Sequence, residues 1–364
     1  MDTDLPRFEH VIVDDAPPCH LHCKGAGDLD GDGCVDLVVG SASGDGLHWY
    51  RSPQWKRRRI APGSYTTDLT VADADGDGHL DVIVPRDGAL TVFRNPGPGR
   101  IDEDDGWEPV QVGDEGAHDV KAADLTGDGR LDLVTRYQSG FGHRMGDAIH
   151  LWVQTGPLVW EHRSFACPHG EGLEVADVNG DGRPDVIIGG RWYENPGDAL
   201  EGEWQEHRYI GDADFAAHWT DGDVAIAAGD LTGDGRTAIA LAPAEGAGRL
   251  AWYEAPVGAA GPWTEHLLEA ETDHTHALEM GDMTGDGRLD LVGAKMHQAS
   301  APQDVFVWHN RGAGPWVRQA VAGSGSHNIR LVDVGQTGRL DVYGANWNSH
   351  SPTGGRVELW LNRG

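Results

Sequence analysis

DLDGDGCVD (residues 28–36) returns six more times: DADGDGHLD from Asp73, DLTGDGRLD from Asp124, DVNGDGRPD from Asp177, DLTGDGRTA from Asp230, DMTGDGRLD from Asp282 and DVGQTGRLD from Asp333. The steps between leading aspartates are 45, 51, 53, 53, 52 and 51 residues. A period near fifty over the whole chain marks a repeat architecture. Each unit cannot bury its own apolar face and must stack on its neighbours.

The sixth repeat shows what one unit contains. Residues 276–282 lead into the acidic phrase, and 288–293, 304–309 and 316–321 follow it. Each run is short, rich in β-branched or aromatic residues, and bounded by Gly, Asp, Asn or Pro. No segment sustains a 3.6-residue apolar period. Four strands per repeat and seven repeats predict an all-β fold, a seven-bladed β-propeller of four-stranded antiparallel blades. The third strand recurs from LHWYRSP (47–53) to VELWLNRG (357–364), where the sequence stops one strand short. The spare strand is at the other end: RFEHVIV (7–13) resembles WQEHRYI (204–210) and WTEHLLE (263–269). The N-terminal strand is therefore expected to pair with the C-terminal blade and close the ring, leaving no open edge. Residues 1–364 read as a single propeller domain.

Composition narrows the partners. The 364 residues include 59 acidic and 28 basic side chains, a formal charge of −31. Nucleic acid and anionic membrane are not expected partners, because phosphate binding needs clustered Lys and Arg. Four cysteines are too few for a disulfide framework. The start, MDTDLPRFEH, lacks a basic segment followed by an apolar core, and no apolar run approaches a membrane span. A cytoplasmic location is expected, although a mature secreted form reads the same way. The oligomeric state is left open.

In the acidic phrase, oxygens at positions 1, 3, 5 and 9 can surround a hard cation. Position 7 adds a carbonyl, and glycines at 4 and 6 permit the tight turn. These loops resemble the calcium loops of FG-GAP (VCBS) repeats, as in integrin α-subunit propellers. The resemblance spans nearly the whole chain and implies structural Ca²⁺ at several sites. Carried over by position, the ligands are Asp28, Asp30, Asp32 and Asp36; Asp73, Asp75, Asp77 and Asp81; Asp124, Thr126, Asp128 and Asp132; Asp177, Asn179, Asp181 and Asp185; and Asp282, Thr284, Asp286 and Asp290. The fifth loop has Ala238 at position 9 and is expected to bind weakly. The seventh, with Gly335 and Thr337 in place of two ligands, is expected to be empty. Calcium here is read as a staple for the turn rather than as part of an active site.

A second column lies six residues before each leading aspartate: His22, Thr67, His118, Glu171, Val224, His276 and His327. In a propeller, equivalent positions at the start of the inner strands converge on the axis, here on the face opposite the acidic loops. Turns on that same face carry Arg86, Arg136, Tyr137, His143, Arg144, Arg191, Glu245, Lys295, His297, Asn346, Trp347 and His350. Long loops on one face of a rigid scaffold commonly carry function. A central pocket is thus expected, floored by imidazoles and rimmed by cations, aromatics and amides.

His22, His118, His276 and His327 can hold a transition metal such as Zn²⁺, which polarises a carbonyl or carboxylate. A free imidazole (His118, His297) or Tyr137 can move the proton, and Arg136, Arg191 or Lys295 can hold an anion. That set suits β-elimination from a uronate, a keto-sugar or a similar metabolite. The competing reading is that inner-strand histidines simply hydrogen-bond neighbouring blades. In its phased histidines and W-x-E-H strands (Trp160 to His162; Trp263 to His266 with one residue more), the chain is also similar to propeller-type carbohydrate lyases and aldos-2-ulose dehydratase. This resemblance implies a carbon–oxygen lyase acting on a carbohydrate. A non-catalytic, calcium-stabilised propeller that binds glycan or protein is the alternative, as is a tailoring enzyme of small-molecule biosynthesis using the same pocket. His20 and His22 of the CHLHC run (19–23) are expected to share a face.

Overall fold

The computed structural model describes residues 5–65, 67–86, 88–137, 147–219, 222–347 and 355–364. Seven four-stranded antiparallel sheets stand around one axis. Blade one runs outward as Leu21–Gly27, Asp36–Ser41, Leu47–Arg51 and Lys56–Ala61. The inner strands of blades two to seven are Thr70–Ala72, Asp119–Ala123, Glu174–Ala176, Val224–Gly229, Ala277–Gly281 and Asn328–Val332. Each touches its two neighbours in sequence order, and blade seven's touches blade one's, so the ring is closed.

Blade seven takes its outer strand from the other end of the chain, as expected. Phe8–Asp14 pairs antiparallel with Val357–Asn362, from Phe8 opposite Asn362 to Asp14 opposite Val357. Beyond the strand, Arg363 N–H donates to the Arg7 carbonyl at 2.8 Å. The two chain ends thus share one sheet.

The core is divided among the blade interfaces. Side chains alternate along a strand, so each blade offers apolar residues to both neighbours. Val38 and Trp49 pack toward blade two with Val82, Val84 and Phe93. The adjacent Leu37, Val39 and Tyr50 pack toward blade seven with Tyr343, Ala345 and Leu359. Every residue of Asp36–Ser41 is consequently buried. No described helix is long and apolar enough to cross a membrane.

The acidic loops are tied into this frame by a hydrogen-bond pattern that explains two sequence signatures together. The position-9 aspartate is buried and accepts two backbone N–H groups. Asp185, for example, accepts Val178 N–H at 2.9 Å and Asn195 N–H at 2.8 Å. In blades two, four, six and seven the asparagine that ends the third strand then donates from Nδ2 to a carbonyl in its own loop and to one in the preceding-blade loop. Asn195 reaches Pro184 and Leu125, Asn310 reaches Leu289 and Leu231, and Asn362 reaches Leu340 and Met283. This is an inter-blade latch. Blade five has Ala255 and Ala238 at the two positions and instead uses Thr237 Oγ1, which donates to the Asp177 carbonyl at 2.6 Å.

Candidate functional site

The inner-strand column meets at the axis. His22 and His327, from blades one and seven, face each other with Nε2 atoms 2.8 Å apart. His22 Nδ1 accepts the Thr67 N–H at 2.6 Å, so the His22 proton sits on Nε2 and is donated to His327. His327 then carries its proton on Nδ1, a buried atom with no hydrogen-bond partner. Burial, with His276 and Lys24 adding to it, holds His22 well below the ordinary imidazole range. Burial and His22 do the same for His327. This pair is neutral.

Across the axis the other two imidazoles belong to a carboxylate. Glu171 is 2 % exposed. Its Oε2 lies 3.1 Å from His118 Nε2, and its Oε1 lies 3.4 Å from His276 Nε2. Burial by itself depresses His118, but Asp119 and Glu171 outweigh it and hold the ring well above its usual range. His276 is raised likewise, burial being overcome by Glu171 and then Glu245. Burial would raise Glu171, yet His276 and His118 keep it well below the carboxylate range. Glu245 Oε1 stands 4.0 Å from His276 Nε2, and burial together with Glu171 pushes Glu245 up to about 7. Asp223, whose Oδ1 accepts the Glu171 N–H at 3.0 Å, is pushed up to about 6, first by burial and then by Glu171. The expected quartet is therefore split into a neutral imidazole pair and a carboxylate flanked by two imidazoles.

Above the pair lies an aromatic wall. Trp347 stacks on His297, with centroids 4.5 Å apart and planes 6° from parallel, and His20 lies 4.8 Å from the same indole. Chain direction at this rim depends on left-handed residues two positions before the column: His20, Gly222, His274 and Gly325 all have positive φ. At Gly222 and Gly325 a Cβ would also meet a backbone carbonyl oxygen, at 2.6 and 2.4 Å, so glycine is required there.

Other expected rim residues are engaged elsewhere. Arg136 is 1 % exposed and donates to the Gly172 and Pro168 carbonyls, so it braces the approach to blade four. Arg191 pairs with Glu206 and Asp212 beside a separate cavity of about 400 Å³. Lys295 pairs with Asp273 at 2.8 Å. Tyr137 ends its strand near Gly116. His143, Arg144 and His350 lie outside the described residues.

Below the histidines is a layer that the sequence reading missed. Lys121 pairs with Glu174, and Arg330 pairs with Asp68 and Glu279. Four of these five sit three residues after the first column, at His118+3, Glu171+3, His276+3 and His327+3. A second phased column was thus present to be read. The layer separates the imidazole pocket, a cavity of about 70 Å³, from a lower cavity of about 330 Å³ that Lys121, Glu174, Glu279 and Arg330 also line.

The W-x-E-H strands have a structural explanation. His162, His207 and His266 sit opposite Trp152, Trp192 and Trp252 in register. Each ring stacks on its indole, at 4.1, 4.2 and 3.8 Å between centroids. His207 and His266 also bond Glu194 and Glu254. The motif is a cross-strand pair between the third and fourth strands of the blade, away from the axial column.

Among the described residues, the first two acidic loops each bring three carboxylates within 4.8 Å: Asp28, Asp30 and Asp32, and Asp73, Asp75 and Asp81. That all-oxygen set fits a hard cation. Arginine lies against both, Arg51 on Asp30 and Arg94 on Asp75, each at 2.5 Å. In the third, fourth and sixth loops the position-7 arginine pairs with the position-5 aspartate: Arg130 with Asp128, Arg183 with Asp181 and Arg288 with Asp286.

Fold and site together define a closed seven-bladed β-propeller with a buried polar axis. A family described as FG-GAP-like repeat matches residues 28–84, 75–135 and 230–293, so this seven-bladed propeller carries FG-GAP-like repeats. No curated protein matches it. Among solved structures it is similar to an Agrocybe aegerita lectin described as specifically recognising non-reducing terminal N-acetylglucosamine. That match has 19 % identity over 98 % of this chain and 86 % of the lectin, with a TM-score of 0.53. It is also similar to BBS1N in complex with ARL6DN, at 11 % identity over 100 % and 98 %, with a TM-score of 0.58. A third likeness is to the V. cholerae biofilm matrix protein Bap1, at 9 % identity over 94 % and 87 %, with a TM-score of 0.50. At these identities the likeness is one of fold.

Proposed function

We propose that this propeller is a metal-dependent carbohydrate lyase or dehydratase that performs β-elimination on a uronate, keto-sugar or sugar-like metabolite at the axis. The observation that carries the reading is Glu171, a buried carboxylate between His118 and His276, beneath a mouth walled by Trp347, His297 and His20. Perturbed, buried ionisable groups gathered in one cleft are the usual ground for acid–base work. An aromatic wall suits the apolar face of a sugar ring.

In the proposed reaction, the carbon beside the substrate's carboxylate or carbonyl gives up a proton to His297 at the mouth. The electron pair left on that carbon forms the new C=C bond as the C–O bond on the neighbouring carbon breaks. The departing oxygen takes a proton from His118, which Asp119 and Glu171 hold protonated, and solvent carries the proton from His297 back to His118. A divalent ion on the axis would draw negative charge from the substrate carboxylate during the proton removal.

Incubation with a panel of polyuronates, uronate oligosaccharides and keto-sugars, with Mn²⁺, Co²⁺ or Zn²⁺ added, tests the reading. Product is read by the ultraviolet absorbance of the conjugated alkene. His118→Ala is expected to lower turnover by about 10²-fold or more with an unchanged circular dichroism spectrum. Absence of product across the panel, with all three metals, overturns it.

A second reading, carbohydrate binding without turnover, is favoured by the exposed part of the aromatic wall and by the lectin among the similar folds. It predicts glycan-array binding that Trp347→Ala removes and His118→Ala leaves. Under either reading we propose Ca²⁺ in the acidic loops as a staple, with the first two loops the best formed.

A further inference from the structure

We infer that the axial metal ion is a first-row divalent ion held by Glu171, Glu245 and His276, and not by the four-imidazole set. The inference rests on the reading of the axis as the working site, but concerns which atoms bind and can be measured apart from turnover.

The three ligand atoms lie within 4.8 Å of one another. Two donors about 2.1 Å from a shared ion are separated by about 3.0 Å at octahedral and about 3.4 Å at tetrahedral angles. His276 Nε2 and Glu171 Oε1 already stand 3.4 Å apart. Glu245 Oε1, at 4.0 Å from the same nitrogen, needs to close by less than an ångström. It sits in the turn between Ala238–Pro243 and Ala247–Glu254, where a side chain can make that move.

The imidazole is also prepared as a ligand. His276 Nδ1–H donates to the His327 carbonyl at 2.9 Å. The ring thus donates from Nδ1 and turns Nε2 toward the two carboxylates, where an ion would replace the Nε2 proton; metal-binding histidines commonly donate their other N–H to a carbonyl in this way. Glu171 supplies the independent sign of a missing partner. It is 2 % exposed, and neither carboxylate oxygen has a hydrogen-bond partner. A buried carboxylate in that state is expensive unless something charged satisfies it. The His118 and His276 contacts, at 3.1 and 3.4 Å, only partly do so.

The imidazole quartet fails on lone pairs. His22 Nδ1 is occupied by the Thr67 N–H, and the Nε2–Nε2 contact at 2.8 Å takes up the remaining His22 proton and the His327 lone pair. Two carboxylates and one imidazole form a donor set that suits Mn²⁺, Fe²⁺ or Zn²⁺ better than Ca²⁺, which prefers oxygen throughout. Three protein ligands leave positions open, as catalytic sites do. The axial cavity, lined by His118, Glu171 and His276, measures only about 70 Å³, so a sugar must present its oxygens from the rim.

The test is direct. Chelator-treated protein, dialysed into excess Ca²⁺ to fill the acidic loops, is titrated with Co²⁺ and followed by visible absorption. A parallel Mn²⁺ titration is followed by electron paramagnetic resonance. One equivalent is expected to bind. Glu245→Gln, a partly exposed position whose variant should fold, is expected to weaken Co²⁺ at least tenfold and alter its band, as is Glu171→Gln. His22→Gln is expected to leave both unchanged. Melting curves without Co²⁺ report folding in each case. No bound equivalent, an unaltered Glu245→Gln titration, or loss of the band in His22→Gln alone would each overturn the assignment. Stoichiometric Co²⁺ binding without any elimination would support this site while ending the lyase reading.

Discussion

Asn195→Ala removes one complete inter-blade latch and leaves the axis untouched. Asn195 is 0 % exposed. Its Nδ2 donates to the Leu125 carbonyl at 2.9 Å and the Pro184 carbonyl at 3.0 Å, and its Oδ1 accepts the Gly197 N–H at 2.9 Å. The backbone bond from Asn195 N–H to Asp185 survives the substitution. Gly197 is exposed, so water can replace its partner, but Leu125 is buried. Each lost bond is worth about 1 kcal/mol net, and a buried carbonyl left without a donor adds about 1–3 kcal/mol. The expected loss is about 2–4 kcal/mol. With about 2.1 cal/mol/K of unfolding entropy per residue, a chain of 364 residues shifts by about 1.3 °C per kcal/mol, or about 3–5 °C here. Asn195→Asp should be worse than Ala, since it places a carboxylate against two carbonyl oxygens. Differential scanning calorimetry gives the shift. Hydrogen exchange should show amides of blades three and four losing protection before the rest. A shift under 1 °C, or an Asp variant more stable than the Ala variant, would refute the latch as an energetic element.

Three further outcomes follow from other parts of the ring. Burial first, then Arg57 and Arg59, lower His48 to about 4. Between pH 6.5 and 4 the unfolded chain takes up a proton that the folded chain refuses, so stability present above pH 6.5 is lost as pH falls, by about 2–3 kcal/mol at about 1.4 kcal/mol per pKa unit. Denaturant titrations at pH 7 and 4.5 should show that His48→Gln loses that much less than the parent, and equal losses would discount the group. Calcium chelation should lower the melting temperature, and Asp28→Asn and Asp73→Asn should each remove about one equivalent of Ca²⁺ in equilibrium dialysis. Unchanged stoichiometry in both would reject the first two loops as sites. Deleting residues 1–14 removes the outer strand of blade seven, which pairs at six positions with Val357–Asn362, and should give an open, self-associating ring by size-exclusion chromatography. A synthetic peptide of residues 7–14 should reverse this, and a monomeric, equally stable deletion would show closure to be dispensable.

The propeller was legible because its determinants are local and repeated. Position 9 of six loops and the asparagine after four of the third strands (Asn95, Asn195, Asn310 and Asn362) are chosen by backbone hydrogen bonds, so they recur with the period and disclose it. The column of His22, His118, His276 and His327 was legible for the same reason, since phase alone brings it to the axis. Phase could not disclose how the four divide. That division depends on Thr67 N–H taking the His22 Nδ1 lone pair and on Glu171, an acidic member of the same column whose isolated place among histidines gave it no motif. Glu245 reaches the axis from a turn, outside any column. The W-x-E-H strands show the converse case, a motif that recurs for a packing reason. Their histidines recur because an indole recurs opposite them in blades three, four and five, which is a packing cause. Periodic residues in a ring report what every blade needs, whereas a single site on the axis must break the symmetry. At the axis, then, the informative residues are the exceptions within a column: Glu171 where histidine is the rule, Thr67, whose N–H fixes the His22 ring, and Val224. Beside Val224, blade five leaves its place at the axis to the turn residue Glu245.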